Sequence, residues 1–120
     1  MPKRILVIDD DPAFRSLLED LLTSEGYEVT PFASPVVAAG DALSGNYDLI
    51  TLDLKMPEAG GVEIAELFKD QSLKTPVLVI SGFLEGSILD QLRDAGITHT
   101  LSKPFRRREL IEAVEGAIAG

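Results

Sequence analysis

Three short apolar runs, each ending at a polar side chain, most constrain what this chain can fold into. Ile5-Leu6-Val7-Ile8 runs into Asp9, the segment Leu49 to Leu54 carries Asp53 near its end, and Val77-Leu78-Val79-Ile80 runs into Ser81. A continuous run of this length, rich in β-branched residues, suits a strand buried on both faces. Such strands belong to parallel sheets, which need a long crossover between neighbours.

The stretches between the runs supply those crossovers. Asp11 reads as an N-cap and Pro12 as the first helical residue, and Phe14, Leu17, Leu18, Leu21 and Leu22 repeat at helical spacing until Gly26. Tyr27 to Phe32 reads as a weaker strand, placed at an edge by Pro31. Residues 34–44 read as a helix. Pro57, Gly60 and Gly61 mark a loop, and Val62, Ile64, Ala65, Leu67 and Phe68 give the next helix. A helix over Ser87 to Asp94 stops at Gly96, a short strand spans Thr98 to Ser102, and a last helix spans Arg107 to Ala119. Five strands alternating with five helices predict an α/β fold: a single doubly wound (βα)5 domain over residues 1–120, with a five-stranded parallel sheet of flavodoxin type.

Composition excludes several functions. There is no cysteine, so no disulfide or thiolate metal site is available. The four apolar residues after Met1-Pro2-Lys3-Arg4 are too few for a signal-peptide core or a membrane span, which gives a cytoplasmic expectation with no membrane partner. Twenty Asp and Glu against eleven Lys and Arg give a net charge of −9, a poor match for a nucleic acid backbone.

In a parallel sheet of this kind, ligands bind at the carboxyl ends of the strands. Those ends carry Asp9-Asp10-Asp11, Asp53, Ser81 and Lys103-Pro104. Clustered carboxylates repel unless a cation neutralises them, and an all-oxygen set favours magnesium or a similar hard ion such as manganese. A carboxylate can act as a nucleophile toward phosphorus, a hydroxyl can donate to a phosphoryl oxygen, and a lysine can meet phosphate as a point charge. The set fits phosphoryl transfer to an aspartate.

Four pieces in order, Leu6-Val7-Ile8-Asp9-Asp10-Asp11-Pro12, Leu52-Asp53-Leu54-Lys55-Met56-Pro57, Val79-Ile80-Ser81-Gly82 and Leu101-Ser102-Lys103-Pro104-Phe105, resemble a response-regulator receiver domain along essentially the whole chain. Gly61 matches the loop glycine of that family. The resemblance implies Asp53 as phospho-acceptor, with magnesium held by Asp10, Asp53 and the Lys55 backbone carbonyl. It gives Asp9 a role through a metal-bound water, and implies that Ser81 and Lys103 meet the phosphoryl group. It implies a cis Lys103-Pro104 bond, a phosphohistidine donor on a histidine kinase or phosphotransfer protein, and a downstream protein target reached by contact. It also implies that the chain is a signalling domain rather than an enzyme. Thr100 stands where the family usually has an aromatic switch residue, and Lys55 and Phe83 stand where lifetime-tuning residues are usual.

Two other functions use similar residues. A haloacid-dehalogenase-type phosphatase shares the nucleophilic Asp, and Asp9-x-Asp11 fits superficially, but Ala13 replaces the expected Thr or Val and no acidic pair follows Lys103. A pseudo-receiver would bind partners without phosphorylation, which the intact acidic set argues against. Asp11 reads as a plain cap and Asp48 as a structural residue at the opposite end of the sheet. His99 reads as a surface histidine, and Arg106-Arg107-Arg108 as a solvated helix start.

Overall fold

The computed structural model describes residues 2–54, 61–82, 84 and 86–119. In chain order it contains β1 (Arg4–Ile8), α1 (Pro12–Ser24), β2 (Glu28–Phe32), α2 (Pro35–Ser44), β3 (Leu49–Leu52), α3 (Gly61–Asp70), β4 (Val77–Ser81), α4 (Gly86–Asp94), β5 (His99–Ser102) and α5 (Arg107–Ala119). The strands form one parallel sheet in the order β2-β1-β3-β4-β5. Pro31 does lie on an edge strand, where its missing N–H costs no ladder bond. Strand β3 stops at Leu52, two residues earlier than its apolar run suggests; Leu54 is half-buried and packs against the core from outside the strand. The expected loop around Pro57 and Gly60, the Lys55 carbonyl and Phe83 lie outside the described residues.

Side-chain alternation sends the two faces of the sheet to separate cores. Ile5, Val7, Leu49, Leu78 and Ile80 pack under Leu18 and Leu22 of α1 and Leu110, Val114 and Ala117 of α5. Leu6, Ile8, Ile50, Leu52, Val77 and Val79 pack under Ala38 and Ala42 of α2, Ile64, Ala65 and Phe68 of α3, and Leu92 of α4. The three central strands are therefore buried on both sides, which is why they read as unbroken apolar runs.

The strands' amino ends are tied by local polar bonds. Asp48 accepts from the Arg4 N–H at 2.8 Å, and its own N–H donates to the Arg4 carbonyl at 2.8 Å, which seats β1 against β3. The Arg4 guanidinium lies over the Tyr47 ring at 4.7 Å, and the Tyr47 hydroxyl donates to Asp41. Gly45 ends α2 where a Cβ would stand 2.6 Å from the Tyr47 ring. At the start of α5, the Arg106 N–H donates to Glu109, Arg107 pairs with Glu25 at 2.6 Å, and Arg108 pairs with Glu112 at 3.0 Å. That run serves the helix start and the α1–α5 seam.

Three helices end by one device. After α1, Gly26 (φ 94°) donates to Thr23 and Tyr27 to Leu22; after α4, Gly96 (φ 84°) donates to Arg93 and Ile97 to Leu92. After α3 the same pair of bonds runs from Ser72 to Lys69 and from Leu73 to Phe68, but Ser72 holds φ 56°, a left-handed position that glycine occupies more cheaply. We expect Ser72→Gly to raise the melting temperature, by about 0.5–1 kcal/mol of stability in denaturant titration. A second stability change is expected in β3. Thr51 sits in register between Val7 and Leu78, and its buried hydroxyl has no hydrogen-bond partner among the described residues. Thr51→Val, which keeps the shape, should stabilise the fold by about 1 kcal/mol in the same titration.

Candidate functional site at the carboxyl edge of the sheet

The ladder continues one residue past several strand ends. The Asp9 N–H donates to the Phe32 carbonyl at 3.2 Å, the Asp53 N–H to Ile8 at 3.2 Å, and the Lys103 N–H to Ser81 at 3.0 Å. The polar residues after the apolar runs are thus held almost as firmly as strand residues. The pleat also carries on: the alternation that places Ile5, Val7, Leu49 and Leu101 on the α1/α5 side reaches Asp9, Asp53 and Lys103 by steps of two. All three charged groups therefore meet on one side of the edge.

Asp9, Asp10 and Asp53 each bring a carboxylate oxygen within 4.8 Å of the others. Lys103 Nζ lies 3.4 Å from Asp53 Oδ2 and 3.7 Å from Asp9 Oδ2. The side chains of Asp9 and Asp53 are only 2% and 9% exposed, against 25% for Lys103. Asp9 Oδ1 accepts from the Asp11 N–H at 3.0 Å, and the Asp9 carbonyl accepts from Arg15 Nη1 at 2.8 Å. Burial raises the Asp9 pKa above the ordinary 3.8; the Asp11 N–H opposes this, the Asp53 charge adds to it, Lys103 lowers it and Asp10 adds a little more. One lysine against three carboxylates leaves the cluster electron-rich, and its all-oxygen donor set fits a hard divalent cation.

The sequence-derived site residues take these places. Asp9, Asp10, Asp53 and Lys103 are brought together. Ser81 is fully buried at the end of β4, and its carbonyl anchors Lys103. The Lys103-Pro104 bond is cis. Asp11 caps α1, accepting from Ala13 at 3.0 Å and from Phe14 at 3.4 Å, as its plain reading requires. His99 is half-buried on β5 and belongs to no metal-capable cluster among the described residues, and Thr100 is exposed on the same strand. Periodicity alone missed Phe14 and Phe105. Lys103 Nζ lies 3.8 Å from the centroid of the Phe14 ring, and Phe105 meets that ring edge-on. Helical spacing marks Phe14 only as part of an apolar stripe.

We expect the crowding to be measurable. Asp53→Asn removes one charge from beside Asp9 while nearly keeping the shape. In chelator at neutral pH the variant should melt above the parent, by on the order of 1 kcal/mol. The pH dependence follows from the raised Asp9 pKa. Stability from protonated Asp9 is fully present below 3.8 and is lost as pH rises through the raised folded value. The advantage of the variant should therefore shrink as pH falls and Asp9 becomes neutral. Excess magnesium should stabilise the parent more than the variant. Thermal unfolding across pH, with chelator and with magnesium, checks both.

Comparison with known proteins agrees with this geometry. The family model described as response regulator receiver domain matches residues 5–115. The transcriptional regulatory protein PdtaR of Mycobacterium tuberculosis is 32% identical over 120 residues, covering 99% of this chain and 58% of PdtaR. The chain thus spans a little over half the length of that relative. Among solved structures, a CheY-like response regulator receiver domain protein from Methanospirillum hungatei superposes with a TM-score of 0.93 at 25% identity, covering 99% of this chain and 95% of that one. The response regulator TrrA of Thermotoga maritima, solved in complex with Mg2+ and BeF, gives a TM-score of 0.86 at 32% identity, covering 96% and 98%.

Proposed function

The chain belongs to the response regulator receiver domain family, and from that premise we propose that it takes a phosphoryl group onto Asp53 with the help of a divalent cation. The observation that carries the reading is the convergence of Asp9, Asp10 and Asp53 within 4.8 Å, with Lys103 Nζ 3.4 Å from Asp53. An Asp53 carboxylate oxygen forms the new P–O bond as the bond between phosphorus and the donor's imidazole nitrogen breaks. The leaving imidazole keeps that electron pair. Asp10 and Asp53, with the Lys55 carbonyl that the family resemblance adds, would hold magnesium or manganese, and Asp9 would stand beside it. The cation supplies charge neutralisation at the transferring group, which is the main catalytic demand of phosphoryl transfer. Ser81 donates to one phosphoryl oxygen and Lys103 pairs with another.

The donor is the phosphohistidine of a histidine kinase or phosphotransfer protein. TrrA, which carries Mg2+ and BeF, supports the metal and the acceptor chemistry together. Residues 1–120 act as one receiver unit in the cytoplasm, catalysing only their own phosphorylation and dephosphorylation. The signal leaves by contact with a downstream protein through the surface around α4, β5 and α5. The acidic balance of the chain, −9, supports a protein target over nucleic acid for this segment. Among the described residues no helix is long and apolar enough to cross a membrane.

Incubation with acetyl phosphate and magnesium should add one phosphoryl group by intact-mass measurement. The addition should vanish in chelator and in Asp53→Asn. Undiminished labelling of Asp53→Asn would move the acceptor to another residue.

A further inference from the structure

Lys103 is poorly fixed by its ion pairs. Its ammonium donates one long hydrogen bond to Asp53 at 3.4 Å and stands 3.7 Å from Asp9. A charge-assisted hydrogen bond that defines a direction is about 2.7–2.9 Å long. The stem is four flexible carbons, and an ammonium is a compact charge with no preferred plane. Two loose carboxylates on one side do not stop such a group from swinging outward into water.

The ring of Phe14 adds a third partner. Its centroid lies 3.8 Å from Lys103 Nζ, within the range where the negative face of an aromatic ring attracts a cation. The ring is itself held. Phe105, two residues beyond Lys103, meets it at 5.7 Å between centroids and 78° between planes, the edge-to-face arrangement that the ring quadrupoles favour. Phe14 is half-buried on the first turn of α1, whose start is fixed by the Asp11 cap. The backbone of Lys103 is fixed separately, through its N–H to Ser81. Both ends of the contact are thus anchored by different elements, and the ammonium is the movable part between them.

We infer that Phe14 is a positioning residue for Lys103: its ring face holds the ammonium on the Asp53 side of the site, and Phe105 holds the ring. The contact itself stands on the geometry, while its consequence for phosphoryl recognition rests on the acceptor reading above. A leucine at position 14 keeps the apolar packing against the core cluster and loses the ring face. A tyrosine keeps both.

Two measurements separate these roles. The first reads the contact without phosphate. The ε-methylene protons of Lys103, seen by NMR in the metal-free protein, should be shifted upfield by the ring. Phe14→Leu should return them to ordinary lysine values, and Phe14→Tyr should keep the shift. The second reads recognition. Phe14→Leu should bind magnesium alone as the parent does but bind beryllofluoride, in excess magnesium, about 3- to 30-fold more weakly. Phe14→Tyr should restore that affinity, and Phe14→Leu should cost little more once Lys103→Ala is present. If Phe14→Leu fails to fold, as judged by thermal melting, Phe14→Met takes its place in both measurements. Ordinary ε-proton shifts in the parent, or an undisturbed shift in Phe14→Leu, would overturn the proposal. So would additive losses in the double variant, since Phe14 would then act independently of Lys103. A parent that binds magnesium but no beryllofluoride would overturn the acceptor reading instead, and the proton shifts would still decide the ring contact.

Discussion

Two carboxylates, Asp9 and Asp53, are buried together at the edge of a parallel sheet, and the Lys103 ammonium lies within 3.7 Å of both. Burying like charges side by side is costly, and one lysine offsets only part of that cost. The site is therefore left with an appetite for positive charge. Under the proposed function, a divalent cation would satisfy it. The surrounding structure serves chiefly to keep this unfavourable arrangement from relaxing.

The sheet does so by extending its ladder beyond the strand ends. Backbone bonds from Asp9 to Phe32, Asp53 to Ile8 and Lys103 to Ser81 tie the charged residues to neighbouring strands, so none can withdraw alone. The pleat then sends all three to the α1/α5 side. On that side Arg15 meets the Asp9 carbonyl, and Phe14 covers the ammonium. The low polarity that raises the Asp9 pKa would also strengthen each attraction to a cation placed there.

The opposite end of the molecule is built for stability. There the helices α1, α3 and α4 close with the same pair of backbone bonds, and Arg4, Asp48 and Tyr47 clamp the starts of the strands. Local strain is small and identifiable, as at Ser72. A domain organised this way can keep a charged, electrostatically strained edge because its other edge and its two apolar cores carry the fold. Activity and stability are separated along the strand direction.

Much of this was legible in the chain itself. Apolar runs on β1, β3 and β4 announce strands buried on both faces, Pro31 announces an edge, and Asp11-Pro12 and Gly26 bracket α1. The same runs deliver Asp9, Asp53 and Ser81 to the strand ends, because a strand's direction and period are local properties of the backbone. The resemblance of four ordered motifs then gave the chemistry. Strand limits were less legible, as the early end of β3 shows, because an apolar residue such as Leu54 can join the core from outside the ladder. What the chain could not declare was how the ends face one another. That Thr51 buries a hydroxyl with no partner among the described residues, that Asp9 is deeper than Asp10, and that Phe14 meets Lys103 all depend on the strand order β2-β1-β3-β4-β5 and the packing of α1 beside α5. Periodicity reports which side of its own element a residue takes. Only the assembled sheet decides which residue, dozens of positions away, stands on the other side of the contact.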